Sequence, residues 1–288
     1  RSAMPRTIHF TKMHGAGNDY IYVYMPDNPA FNASEASRLW SQPHFGIGSD
    51  GLILISKSLV PEADFSMRIF NNDGSEAMMC GNGIRCVGKY LYDHHLTEKT
   101  TIAVETLSGI KHIMLHINED GEVLRCTVDM GVPMLQNRAQ LRTPDGGMQL
   151  GMVGGFRGTF VSMGNPHFVV FTEDADAVDV ATEGQQLEYN EIFPERCNIE
   201  FATLLPNESI RLRSWERGSG LTLACGTGAC ATAVAASVNG WGRRRCDIIT
   251  DGGTLHIQWD VIDGHVRMTG PAETVFEGSF PLQKRIQQ

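Results

Sequence analysis

The amino-acid sequence predicts an α/β (α+β) protein of two pseudo-symmetric domains, each a sheet wrapped around a central helix. Three observations predict it. The chain echoes itself: Arg68-Ile-Phe-Asn-Asn-Asp-Gly-Ser-Glu-Ala-Met-Met-Cys80-Gly-Asn-Gly is answered by Arg213-Ser-Trp-Glu-Arg-Gly-Ser-Gly-Leu-Thr-Leu-Ala-Cys225-Gly-Thr-Gly. Both copies set an arginine twelve residues before a Cys-Gly-x-Gly, and their offset of 145 is close to half of the 288 residues. Each cysteine also follows a strand-like run and precedes a helical pattern. Short β-like runs fill the remainder, separated by Gly, Asp-Gly and Pro turns.

In chain order, Gly51–Ile55 is a continuous apolar run, and Asp64-Phe-Ser-Met-Arg-Ile-Phe70 alternates like a half-buried strand. After Cys80, Ile84-Arg-Cys-Val-Gly-Lys-Tyr-Leu-Tyr92 spaces its apolar residues as a helix does, and Thr101–Glu105, Lys111–Ile117 and Val123–Val128 return to strand. A seam is expected near Cys126–Pro133. It divides a first domain, 4–126, from a second, 127–270, with 271–288 returning to the first. Arg1–Ala3, ahead of Met4, read as a cloning remnant outside the fold.

In the second half, Thr159–Ser162, His167–Phe171 and Asn198–Leu204 lead to the alternating Ile210-Arg-Leu-Arg-Ser-Trp215. Past Cys225, Ala229-Cys-Ala-Thr-Ala-Val-Ala-Ala-Ser-Val238 is apolar nearly all round and stops at Asn239-Gly240. A helix without a polar face is buried, which makes this one a centre for sheet to wrap. Cys246–Thr250, Thr254–Trp259 and His265–Met268 complete the strands.

A net charge of −9 excludes a basic face for nucleic acid or an anionic membrane surface. No apolar run approaches the roughly 18 residues of a membrane span, and no charged start precedes an apolar h-region. The expectation is a cytoplasmic protein. Seven cysteines, an odd number without a secretion signal, point to reduced thiols rather than a disulfide framework. No CxxC or HExxH spacing supports a metal site. Cys126, Cys197 and Cys246 read as small hydrophobes, and Cys86 and Cys230 as helix packing.

Cys80 and Cys225 differ from these because each opens a helix and is followed by Gly-x-Gly. Unpaired N–H groups and the positive end of the helix dipole stabilise a thiolate there, lowering its pKa, and also bind a carboxylate. A carboxylate held by two such helix ends leaves its α-carbon near both sulfurs. Moving an α-proton from one face to the other needs a base and an acid: one thiolate, one thiol. The N–H groups stabilise charge developing on the carboxylate oxygens. The Gly-x-Gly stretches that follow the two cysteines match neither GxGxxG nor a P-loop, and no cofactor is expected. One such cysteine alone would read as packing; two in matching contexts do not.

These residues resemble diaminopimelate epimerase. The resemblance rests on Lys12-Met-His-Gly-Ala-Gly-Asn18-Asp, Gly46-Ile-Gly-Ser-Asp-Gly-Leu52, the two cysteine blocks, Gly164-Asn165-Pro-His167, Asn198-Ile-Glu-Phe201, Glu216-Arg217-Gly and Gly270-Pro-Ala272. It implies two similar domains, each a curved mixed or antiparallel sheet around a helix. It also implies conversion of L,L-diaminopimelate to the meso form for lysine and peptidoglycan synthesis, without pyridoxal phosphate, by a homodimer. Carried onto this chain, Cys80 and Cys225 are the acid–base pair. Gly81, Asn82, Gly226 and Thr227 hold the carboxylate at the reacting end. Asn18, Asn71, Asn165, Asn198 and Arg217 read the distal amino-carboxylate, while Glu216 and the supporting His167 flank the reacting amine. An arginine can grip a carboxylate bidentately, and asparagines offer donors and acceptors to a zwitterion.

Taken singly, these residues have plainer readings: Asn18 and Asn165 suit turns, Arg217 and Glu216 a surface ion pair, and His167 a core histidine. Two positions depart from the family pattern. Gly51 stands where some members carry glutamine, and Leu221 where Gly-Glu-Thr is common. Rival readings are a proline racemase-like enzyme, a thiol–disulfide protein, and a non-catalytic amino-acid-binding module. Oxidation is further expected to join Cys80 to Cys225.

Overall fold

The chain divides into two compact units, one running to Val128 and completed by Pro271–Gln288, the other spanning Asp129–Gly270. The computed structural model describes residues 6–288, so Arg1–Ala3 and the expected start at Met4 lie outside the described residues.

The first unit begins with a hairpin of β1 (Thr7–Gly15) and β2 (Asn18–Tyr24), turning through Ala16 and Gly17 at φ of 54° and 85°. Helix α1 (Ala33–Trp40) follows, then β3 (Gly51–Lys57), β4 (Phe65–Asn71), the short β5 (Glu76–Ala77), α2 (Gly81–Asp93), β6 (Thr101–Thr106), β7 (Gly109–Ile117) and β8 (Val123–Asp129). The second unit carries β9 (Gly151–Val153), β10 (Phe156–Ser162), β11 (Pro166–Phe171), α3 (Val180–Glu188), β12 (Asn198–Leu204), β13 (Ile210–Glu216), β14 (Gly220–Thr222), α4 (Gly226–Val238), β15 (Arg245–Ile249), β16 (Thr254–Trp259) and β17 (Val266–Pro271). The chain then returns to the first unit with β18 (Glu273–Pro281), antiparallel to β1.

The sheet order is β18-β1-β2-β3-β4-β6-β7-β8 in the first unit and β9-β10-β11-β12-β13-β15-β16-β17 in the second. The pairing types run in the same sequence as well. The β2–β3 and β11–β12 pairs are parallel, with α1 and α3 in their crossovers, and so are β4–β6 and β13–β15, with α2 and α4 in theirs. The other pairs in each sheet are antiparallel, as the mixed-sheet expectation required.

Each sheet is covered on both faces, which explains why β3 reads as an unbroken apolar run rather than an alternating one. Leu52 and Leu54 join the cluster under α1 that contains Ile8, Phe10, Ile21, Trp40 and Phe70. Ile53 faces the other way, and a Cβ added at Gly83 of α2 would lie 2.8 Å from its Cδ1. In the second unit α4 packs against β10, β11, β12, β13, β15 and β16, and all but three of its thirteen residues are buried. That is the central helix its composition demanded.

Candidate active site

Both cysteines are helix N-caps. Cys80 holds an extended backbone, φ −144° and ψ 115°, and its Sγ accepts the Gly83 N–H of α2 at 3.4 Å. Cys225 repeats this at φ −122° and ψ 111°, with Sγ accepting the Gly228 N–H of α4 at 3.3 Å. A sulfur thus stands where a serine or aspartate oxygen usually caps. The glycines are required by space as well: a Cβ at Gly228 would fall 2.6 Å from Glu200 Oε1 and 3.2 Å from Cys225 Sγ. The five cysteines given packing roles, Cys86, Cys126, Cys197, Cys230 and Cys246, are buried.

Around Cys80, the thiol donates to Asn18 Oδ1 at 3.1 Å, and the Tyr20 hydroxyl donates to Sγ at 3.6 Å. The same amide donates from Nδ2 to Asp50 Oδ2 at 2.8 Å. Asn82 is buried and its Oδ1 accepts Nη2 of Arg85 at 2.8 Å. Arg85 is fully buried and also donates to the Pro271 carbonyl at 3.0 Å and the Gly81 carbonyl at 3.4 Å. Asn71 closes β4, and its Nδ2 donates to Ser75 Oγ at 3.0 Å. Opposite it in the ladder is Gly51. A Cβ there would sit 2.1 Å from the Phe70 carbonyl, so no side chain at this position can reach toward Asn71 without a shift of backbone.

Around Cys225, a chain of polar contacts runs inward from α4. Thr227 Oγ1 lies 3.6 Å from the sulfur and accepts Asn165 Nδ2 at 3.1 Å. Asn165 Oδ1 meets His167 Nε2 at 3.1 Å, and His167 Nδ1 meets Glu200 Oε1 at 2.8 Å. His167 and Glu200 are both fully buried. With both ring nitrogens engaged inside the unit, His167 fixes Asn165 and through it Thr227. Asn198 is likewise spent on backbone: Nδ2 donates to the Pro166 carbonyl at 2.9 Å, and Oδ1 accepts the Arg217 N–H at 2.8 Å. The Arg217 guanidinium donates to the Glu195 carbonyl at 3.0 Å. Leu221 is exposed on β14.

One electrostatic expectation is corrected at Cys225. The helix end was expected to depress both thiols. Burial, then the Glu216 and Glu200 carboxylates, outweigh the Gly228 N–H and Thr227 hydroxyl and push this thiol well above its ordinary value. Glu216 is itself pushed up, first by burial and also by Glu200. Glu200, Arg85 and Tyr20 were missed by the sequence reading. Glu200 sits one residue past Asn198-Ile in a quoted motif, and its signal was a carboxylate inside an otherwise apolar strand.

The family described as Diaminopimelate epimerase matches residues 10–135 and 159–275, well over half of the chain. The chain belongs to this family. A family member of Phocaeicola vulgatus, named diaminopimelate epimerase, is 54% identical over 283 residues, covering 97% of this chain and 100% of that one. Among solved structures, a PhzF-family phenazine biosynthesis protein of Bacillus anthracis aligns at TM-score 0.69 and 18% identity, over 96% of this chain and 100% of that one. A hydroxyproline epimerase of Agrobacterium vitis, solved with trans-4-hydroxy-L-proline, aligns at TM-score 0.69 and 16% identity, over 97% and 94%. These two likenesses carry the fold: the two-unit architecture of the family is shared with proteins of distant sequence.

Proposed function

We propose that this chain is an isomerase that epimerises L,L-diaminopimelate to the meso form in lysine and peptidoglycan precursor synthesis, with Cys80 and Cys225 as its two proton-handling groups. Membership of the diaminopimelate epimerase family carries the substrate. The matched capping of α2 and α4 by a sulfur supports the two-cysteine chemistry.

One cysteine, as thiolate, removes the α-proton; the other, as thiol, delivers its own proton to the opposite face. The carbon keeps its electron pair throughout, and after one turnover the two sulfurs have exchanged roles. The first-turn N–H groups at Gly81, Asn82, Gly226 and Thr227 hold the carboxylate and stabilise charge as the α-carbon loses its proton. Glu216 and His167 shape the side where the reacting amine lies. Asn18, Asn71, Asn165 and Arg217 read the far amino-carboxylate, with Asn198 setting the Arg217 backbone.

The chain works as a homodimer in the cytoplasm in this reading. Strand β18 pairs only with β1 among the described residues of its unit and leaves Val275 and Phe276 exposed, an edge a second copy can cover. An odd number of cysteines, seven, suits a reducing compartment.

The test is α-proton exchange. Reduced protein is incubated with L,L-diaminopimelate in D₂O without cofactor, and α-deuterium is followed with meso product. Exchange with epimerisation is expected. No exchange with diaminopimelate, but exchange with proline, would move the substrate to that of a proline racemase-like enzyme.

A further inference from the structure

The two cysteines have matching backbones and unlike surroundings, and the difference is one of buried charge. Glu200 lies on β12 beneath the first turn of α4. A single point, the site of a Cβ on Gly228, is 2.6 Å from its Oε1 and 3.2 Å from Cys225 Sγ, so the carboxylate and sulfur flank the same glycine. Its Oε1 takes His167 Nδ1, but its Oε2 is buried with no hydrogen-bond partner among the described residues. A carboxylate this deeply buried is weakly screened by bulk solvent, and its field disfavours a second anion nearby.

We propose that Glu200 is a positioning residue that holds the proton on Cys225, so that Cys225 is the thiol of the pair and Cys80 the sulfur that gives up its proton first. This rests on the two-cysteine reading and adds a direction to it.

The groups facing each sulfur support this. Cys225 meets the Gly228 N–H and Thr227 hydroxyl from α4, Glu216 from β13, Glu200 from β12 and, behind Glu200, His167 from β11. Two carboxylates stand against one N–H, one hydroxyl and an imidazole already bonded to Glu200. Cys80 meets the Gly83 N–H from α2, the Tyr20 hydroxyl and the Asn18 amide oxygen from β2, with Asp50 held beyond Asn18. Its nearby cation is Arg85, whose bonded acceptors are two carbonyls and an amide, none of them charged. Burial lowers the Arg85 pKa, and Cys86, Cys80, Cys126 and Tyr22 oppose it, with burial also pushing the Tyr22 hydroxyl well above its ordinary value. Burial pushes Cys86 up to about 11 and Cys126 up to about 12, so both stay protonated at neutral pH. Cys80 remains as the sulfur able to serve as counter-ion to this guanidinium.

The experiment reads alkylation by iodoacetamide against pH, with each cysteine quantified separately by mass spectrometry in the intact protein. The pH midpoint is taken rather than the rate, because Cys225 is less exposed. In the wild type Cys80 is expected to titrate at lower pH than Cys225. Glu200→Gln keeps an oxygen for His167 and removes the charge, so it separates the field from the hydrogen bond. It is expected to lower the Cys225 midpoint by about one pH unit and leave that of Cys80 in place. A Cys225 midpoint unchanged in folded Glu200→Gln protein overturns the proposal. So does a wild-type Cys225 midpoint at or below that of Cys80, which decides the matter even where the variant fails to fold. Neither reading depends on turnover, so loss of the epimerase assignment and loss of this proposal are distinguishable.

Discussion

Tyr20 and His167 hold the same place in their two units and do different things there. Tyr20 on β2 pairs with Gly51 of the parallel β3, and His167 on β11 pairs with Asn198 of the parallel β12. Tyr20 turns its hydroxyl onto the sulfur of Cys80; His167 turns away from Cys225 to bond Glu200 and Asn165. The correspondence continues along the strands. Ile53 stands opposite Ile69 and Glu200 opposite Ser214, and both lie against the glycine three residues past the cysteine. Arg85, five residues after Cys80, has Cys230 as its counterpart. One scaffold, used twice, delivers two sulfurs in the same pose, while substitutions behind them set one beside a cation and the other beside anions. Geometry is duplicated; charge is not.

The strongest way to break this comparison is to delete each sulfur. Cys80→Ala and Cys225→Ala are each expected to lower epimerisation by about 10³-fold, judged by meso product formed. A variant that kept near-normal turnover would show the two poses are not equivalent in use. The glycines sharpen it next. A Cβ at Gly83 meets the end of the Ile53 side chain at 2.8 Å, which can rotate, whereas one at Gly228 meets Glu200 Oε1 at 2.6 Å, fixed by His167. Gly228→Ala should therefore cost about 3 kcal/mol and Gly83→Ala about 1 kcal/mol in urea unfolding. Equal costs would mean Glu200 is free to move.

A smaller effect lies in Glu216, which has Asn71 as its counterpart and is pushed up mainly by burial. The folded chain holds that proton more tightly than the unfolded one, so acidification from neutral pH toward the ordinary carboxylate range adds stability, and the gain is complete below that range. Glu216→Gln should then exceed the wild type in stability most at neutral pH, with the gap closing as pH falls. A gap independent of pH would show that Glu216 titrates normally. The smallest effects are at the outer helices. Asn32 accepts the Glu35 N–H at 3.1 Å to cap α1, and Asp179 accepts the Thr182 N–H at 3.3 Å to cap α3. Alanine at either should cost about 1 kcal/mol and leave turnover unchanged, since neither touches a cysteine.

The internal echo made the architecture legible, because a duplicated strand–cysteine–helix block survives as a literal repeat around Cys80 and Cys225. The all-apolar α4 was legible for the same reason that it is buried. Strands β1 and β2 are less legible: β2 is Asn-Asp-Tyr-Ile-Tyr-Val-Tyr, and the Gly-Asn-Asp turn residues at its head mask the β-prone run after them. Helices α1 and α3, eight and nine residues long, are too short for a period to stand out. In the site, residue types were readable but their partners were not. That Asn198 serves the Arg217 backbone, or that Glu200 is the group behind His167, depends on strand register, which no local pattern encodes.

Strand β18 has a consequence for how the molecule comes into being. It is made only after the whole second unit, yet it flanks β1, made before that unit, and its Phe276 and Phe280 pack on Phe10 with centroids 5.9 Å and 5.7 Å apart. A nascent chain leaving the ribosome therefore has every strand of the second unit while the first still shows an unpaired edge at β1. Closure of the first unit waits on the strand that follows the second, and a product stalled or clipped before β18 would present that edge to other chains.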